Sequence, residues 1–131
     1  MFHTLSITER RRAMAIQIFG TKKNNDTKKA QRFFKERGIK FQFIDLNEVE
    51  MSWGEFDSIT SSIGGLDAWI DENSKDADGL AYVKYATDES KEAYIIDHPS
   101  VMKLPIVRSK KRAVLGHAPD VWKKWAEEEK K

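Results

Sequence analysis

The spacing of hydrophobic positions changes twice along the chain. Ala15 to Phe19 is a short apolar run with two β-branched isoleucines, which reads as a buried strand. Gly20 to Asn25 has loop composition, and either Asn25 or Asp26 can cap the helix that follows. From Thr27 to Arg37, Ala30, Phe33 and Phe34 recur on one face while Lys28, Lys29, Arg32 and Lys35 fill the other. This predicts an amphipathic helix, with Gly38 at its C-terminal end. Ile39 to Leu46 alternates and predicts a second strand. A strand–helix–strand unit of this length requires the two strands to run parallel.

The middle of the chain is helical. Ser52 and Glu55 form a capping-box pattern ahead of a helix reaching Ile63, with Phe56 and Ile59 inward and Gly64-Gly65 ending it. Leu66, Trp69 and Ile70 keep helical spacing. Asp71 to Asp78 is polar and loop-like, and Leu80 to Tyr85 is apolar without a decisive period. Asp88 can cap a further helix that carries Ala93, Ile95 and Ile96 and stops near His98-Pro99. Trp53, Phe56, Trp69, Trp122 and Trp125 sit at helical spacings and are assigned to the core.

The last third returns to strands. Leu104 to Val107 and Ala113 to Leu115 flank a polar turn and predict an antiparallel hairpin. Ala118-Pro119-Asp120 then opens a final helix, with Val121, Trp122 and Trp125 on its buried face. The expected fold is α/β: a mixed four-stranded sheet in the order β-α-β … β-β-α, with an all-helical insertion at about 50–99. That order is the thioredoxin order. Residues 14–131 form one domain. Residues 1–13, with Arg10-Arg11-Arg12, are expected to be a disordered extension or a leader translated ahead of a true start at Met14.

Charge sharpens the boundary of the insertion. The net charge is +2, but residues 1–40 carry +8, residues 41–100 carry −11 and residues 101–131 carry +5. The middle therefore has a surface of its own. The basic residues of the first helix lack interleaved aromatic positions, so a solvated face is the simpler reading and direct nucleic-acid binding is not expected. No apolar run is long enough for a membrane helix.

The chain has no cysteine among its 131 residues. Disulfides, thiolate metal sites and cysteine nucleophiles within the chain are thereby excluded. His3, His98 and His117 have no ligand spacing, so no metal is expected. No serine-hydrolase or phosphate-loop motif is present.

Two segments resemble the arsenate-reductase-related (ArsC/Spx) family. The first runs from Ile18 through Gly20-Thr21-Lys22-Lys23-Asn24-Asn25-Asp26 to Thr27-Lys28-Lys29-Ala30, similar to that family's opening strand, active loop and helix start. The second is Leu104-Pro105-Ile106-Val107 followed by Lys111-Arg112-Ala113-Val114-Leu115-Gly116, similar to its proline-isoleucine-valine signature and short strand ending in glycine. The resemblance spans about Ala15 to Trp125.

The resemblance implies a thioredoxin-like fold, a cytoplasmic bacterial setting and a cis-proline at Pro105 shaping a ligand groove. It places the family's nucleophilic cysteine on Asn24 and the second cysteine of the Spx branch on Thr27. The arginines that hold the oxyanion in the family's reductases fall on Leu104, on the acidic stretch Trp69 to Asn73, and near Arg112 or His117. The nucleophile and most of the anion clamp are absent, so redox activity is expected to be absent and no cofactor is expected. Candidate groove residues are Lys22, Lys23, Asn24, Pro105, Arg112 and His117.

Three functions follow from this resemblance. The first is a redox-inactive homologue binding a protein partner, as the Spx branch binds RNA polymerase. The second is an arsenate-reductase-type oxidoreductase borrowing an external thiol such as glutathione. The third is a non-catalytic binder of glutathione or a small anion.

Overall fold

The computed structural model describes residues 15–130; the expectations for residues 1–13 lie outside them. Strand β1 (Ile16–Gly20) is buried along its whole length because it is an interior strand with helices on both faces. Helix α1 (Asn25–Glu36) follows, then β2 (Phe41–Asp45), parallel to β1 with Ile16 opposite Phe41 and Gly20 opposite Asp45. The hairpin β3 (Ile106–Ser109) and β4 (Arg112–Leu115) adds to the other side of β1, giving the order β2-β1-β3-β4 with β1–β3 and β3–β4 antiparallel. The predicted sheet is present with its expected strand directions. Strands β2 and β3 are shorter than their apolar patterns, since Ile39 and Leu104 lie outside the ladders.

Alternation along β1 divides the core. Ile16, Ile18 and Val107 pack with Ala30 and Phe34 of α1 and with Trp122 and Trp125 of the last helix, α5 in chain order (Pro119–Glu129). Phe19, Ile44 and Ile106 face the opposite way, toward the insertion.

The insertion contains α2 (Trp53–Ile63), a 3-10 turn (Leu66–Trp69), α3 (Ala77–Tyr85), α4 (Asp88–Asp97) and a second 3-10 turn (Pro99–Val101). The capping box at Ser52 and Glu55 forms as predicted, and Gly64 ends α2 with a φ of 95° that favours glycine. Trp69 is fully buried, stacked on Phe56 at 4.7 Å between ring centroids, with its indole N–H donating to Thr60 Oγ1 at 2.9 Å. Within the insertion, single backbone bonds close a neck around α3 and α4: Asp71 N–H donates to Val101 O at 2.9 Å and Lys103 N–H to Trp69 O at 2.8 Å, around an Ile70–Met102 bridge.

Three readings change. Trp53 is half-exposed rather than core: as the first residue of α2 it lies at the helix mouth, resting edge-on against Phe56. The stretch Leu80 to Tyr85 is helical, because Asp76 inside the polar run caps α3 by accepting from Gly79 N–H at 2.9 Å. Thr87, not Asp88, caps α4.

Candidate functional site

The loop after β1 ends on Asn24, and Asn24 is the N-cap of α1 rather than Asn25 or Asp26. Its Oδ1 accepts from Thr27 N–H at 2.7 Å and from Thr27 Oγ1 at 2.8 Å. A backbone N–H only donates, so this contact fixes which side-chain atom is oxygen and leaves the NH2 group of Asn24 turned away from Thr27. Thr27 is completely buried against the end of β1. A Cβ on Gly20 would lie within van der Waals overlap of Thr27 Oγ1 and Cγ2, which explains glycine at that position.

Asn24 opens onto a cleft of about 790 Å³. One wall is the loop, with Thr21, Lys23, Asn24, Asn25 and Asp26. The other is built by the insertion's neck, with Asp71, Asn73, Ser74 and Lys75 from one side and Asp97, His98, Ser100, Met102 and Leu104 from the other. The bonds across the neck hold these two segments side by side. The Leu104–Pro105 peptide is cis. Leu104 borders the cleft, whereas Pro105, expected in the groove, is buried and does not line it, its carbonyl accepting from Gly116 N–H at 2.9 Å.

The cleft is polar and its cations are few. Lys23 and Lys75 line it, against Asp26, Asp71 and Asp97. Asp26 is engaged by Lys29 at 3.8 Å and by the His117 ring at 3.9 Å. Asp97 hydrogen-bonds the neighbouring Glu50, and that bond together with its negative charge pushes the Glu50 carboxyl above the usual carboxylate range. Just behind, Asp76 accepts from Ser100 Oγ at 2.7 Å and from Gly79 N–H, which hold its carboxyl below that range. Among the described residues no group of three or more His, Cys, Asp or Glu is placed to hold a metal ion.

Of the groove residues expected from the sequence, Lys23 and Asn24 line the cleft together. Lys22 does not; it pairs with Glu48 at 3.2 Å and lies 3.9 Å from Asp45 at the end of β2. His117 sits edge-on to Trp122 and braces α5 against the start of α1. Arg112 is at the opposite end of the sheet: it pairs with Ser109, which lies opposite Ile16, about 13 Å of strand from Gly20. There it bonds Glu128 Oε2 at 2.6 Å and lies over the Trp125 ring. Sequence reasoning missed Asp97, His98 and Ser100. Their signal was the pairing of Ile70 with Met102 inside the helical block, a backbone bridge that leaves no pattern in the sequence.

The ArsC family profile matches residues 19–125, which takes in the loop, the insertion and the proline signature. The chain belongs to the ArsC family. No curated protein matches its sequence. Its fold is shared with solved ArsC structures. An ArsC family related protein from Bacteroides fragilis superposes with a TM-score of 0.72 at 16% identity, covering 86% of this chain and 98% of that one. An arsenate reductase from Vibrio cholerae gives 0.72 at 20% identity, covering 85% and 97%. An arsenate reductase related protein from Brucella melitensis gives 0.63 at 17% identity, covering 86% and 95%. The thioredoxin-like ArsC fold is therefore complete here, in a chain with no cysteine.

The arrangement offers hydrogen bonding and no nucleophile. An amide nitrogen lacks an available lone pair, and among the described residues no base is hydrogen-bonded to the Asn24 side chain to create one. Anion binding at the start of α1 is also opposed, because Asn24 already occupies the Thr27 N–H and Asp26 puts a carboxylate in the first turn.

Proposed function

We propose that this protein is a non-redox ArsC-family member that acts by binding. The observation that carries the reading is the Asn24–Thr27 contact: the two positions matched to the family's thiols are joined by a hydrogen bond that serves the helix cap. Arsenate or disulfide reduction assayed with glutathione, glutaredoxin and thioredoxin supplied is expected to give no turnover above the protein-free blank. Turnover that disappears in Asn24→Ala overturns this reading.

The partner best suited to the surface is a protein, met in the cytoplasm, as in the Spx branch with RNA polymerase. The net charge of −11 over residues 41–100 supports this, since clustered charge steers encounter with a basic surface. Pull-down at low salt with wild type and with a charge-reversed insertion tests it. Equal recovery by the two proteins, or no specific partner, removes the partner reading. The cleft beside Asn24 supports a second reading, a small-molecule binder of the glutathione type, which thermal-shift measurement with glutathione tests.

A further inference from the structure

Two side chains in the cleft have their polarity fixed by the fold. Asn24 spends Oδ1 on Thr27, so its NH2 group is the atom set available to a ligand, and it has no hydrogen-bond partner among the described residues. His98 has Nδ1 at 2.7 Å from Tyr94 O. A carbonyl only accepts, so Nδ1 carries the proton and Nε2 of the neutral ring presents a lone pair. The ring cannot turn freely, because it is stacked on Tyr94 at 3.8 Å with an 8° interplanar angle, and Tyr94 is stacked on Tyr82 at 4.5 Å. His98 Nε2 has no hydrogen-bond partner among the described residues.

The loop wall therefore offers a donor and the insertion wall an acceptor. The charges beside them have the same sense. Lys23 is next to Asn24 and exposed, with no ion pair among the described residues. Asp71 and Asp97 flank the His98 wall and form no ion pair among the described residues, Asp97 sharing a hydrogen bond with Glu50 and Asp71 accepting from Asn73 N–H, and Lys75 is the only cation among the cleft residues on that side. A ligand matching both walls needs an acceptor at one end and a positively charged donor at the other.

We propose that the cleft binds a free α-amino acid or a short peptide, its ammonium group held by His98 Nε2 with Asp97 and Asp71, and its carbonyl or carboxylate by the Asn24 NH2 group with Lys23. This rests on reading the chain as a binder, and it assigns a ligand class to that cleft. A bare oxyanion satisfies only the Asn24 end and meets the carboxylates of Asp71 and Asp97 at the other.

The test is a titration of the full chain, followed through the Asn24 side-chain amide and the His98 ring resonances by NMR. The probes are L-alanine, L-alanyl-L-alanine, N-acetyl-L-alanyl-L-alanine and inorganic phosphate, each to millimolar concentration. Either unblocked probe is expected to shift both sets of resonances, and the tighter of the two distinguishes amino acid from peptide. Acetylation is expected to abolish the shifts. Asp97→Asn and His98→Phe, the latter keeping a stacked ring, are each expected to weaken binding about tenfold. Phosphate or the acetylated dipeptide binding as tightly as the free dipeptide overturns the proposal, as does an absence of shifts with either unblocked probe. Those outcomes leave the reductase assay and the pull-down untouched, so the binder reading stands or falls separately.

Discussion

Asn24 Oδ1 lies 2.8 Å from Thr27 Oγ1, and the same oxygen accepts the Thr27 backbone N–H. One side chain thus caps α1 and ties the cap to a residue buried beneath β1. The contact is local in sequence, yet it sets the shape of the cleft's loop wall.

Asn24→Ala is expected to cost about 1 kcal/mol, the usual loss for an N-cap, read from urea unfolding at constant m-value. Gly20→Ala is expected to cost about 1–3 kcal/mol, because its Cβ overlaps Thr27. In a double-mutant cycle, Thr27→Ala should relieve part of that loss; strict additivity would show that the two residues are not in contact.

The two tryptophans of the insertion should differ sharply. Trp69→Ala empties a fully buried site stacked on Phe56 and is expected to cost about 3–5 kcal/mol. Trp53→Ala removes a half-exposed ring at the helix mouth and is expected to change stability by about 0.5 kcal/mol or less. Thermal melts of both variants decide it, and a large loss from Trp53→Ala returns that residue to the core.

The Glu50 carboxyl, crowded by Asp97, makes a contribution to stability that is expected to fall as the pH rises. The folded-state carboxyl of Glu50 is held above its ordinary value of 4.5, so the folded protein binds more protons than the unfolded chain in that range. The unfavourable effect appears as pH rises through 4.5 and is complete above the folded-state value. Glu50→Gln is therefore expected to raise the melting temperature at pH 7 more than at pH 3. An equal change at both values excludes the crowding.

Glu128 has the opposite sign. The hydrogen bond from Arg112 holds its carboxyl below 4.5, so its contribution is present above that pH and is lost as pH falls through the folded-state value. Both partners are about half-exposed, so the loss should be small and salt-sensitive. Arg112→Ala should loosen α5, seen as faster amide exchange at Trp122 and Trp125, and leave ligand shifts at Asn24 unchanged.

The sheet was readable because its signals are local. An apolar run, a helix of period 3.6 and a hairpin turn each follow from neighbouring residues, and the parallel and antiparallel directions follow from the connections between them. The loop wall of the cleft was readable for the same reason, although three successive residues, Asn24, Asn25 and Asp26, share cap chemistry and only the backbone angle of Asn24 decides among them. The insertion wall was not readable. Asp71 and His98 lie far apart in sequence and meet through backbone bonds that any residue type can make. Arg112 was misplaced because motif spacing says how near the loop a residue lies in the family pattern, whereas β-ladder register puts it at the other end of β1.

The neck of the insertion carries a consequence for how such a cleft changes over time. Asp71 bonds Val101 and Lys103 bonds Trp69, so the segment holding α3 and α4 departs from the rest of the fold and rejoins it at nearly one point, with α2 outside it. Everything between behaves as a cassette. Substitutions there can rewrite one wall of the cleft, its charge and its ligand, without disturbing a single rung of the sheet that holds the other.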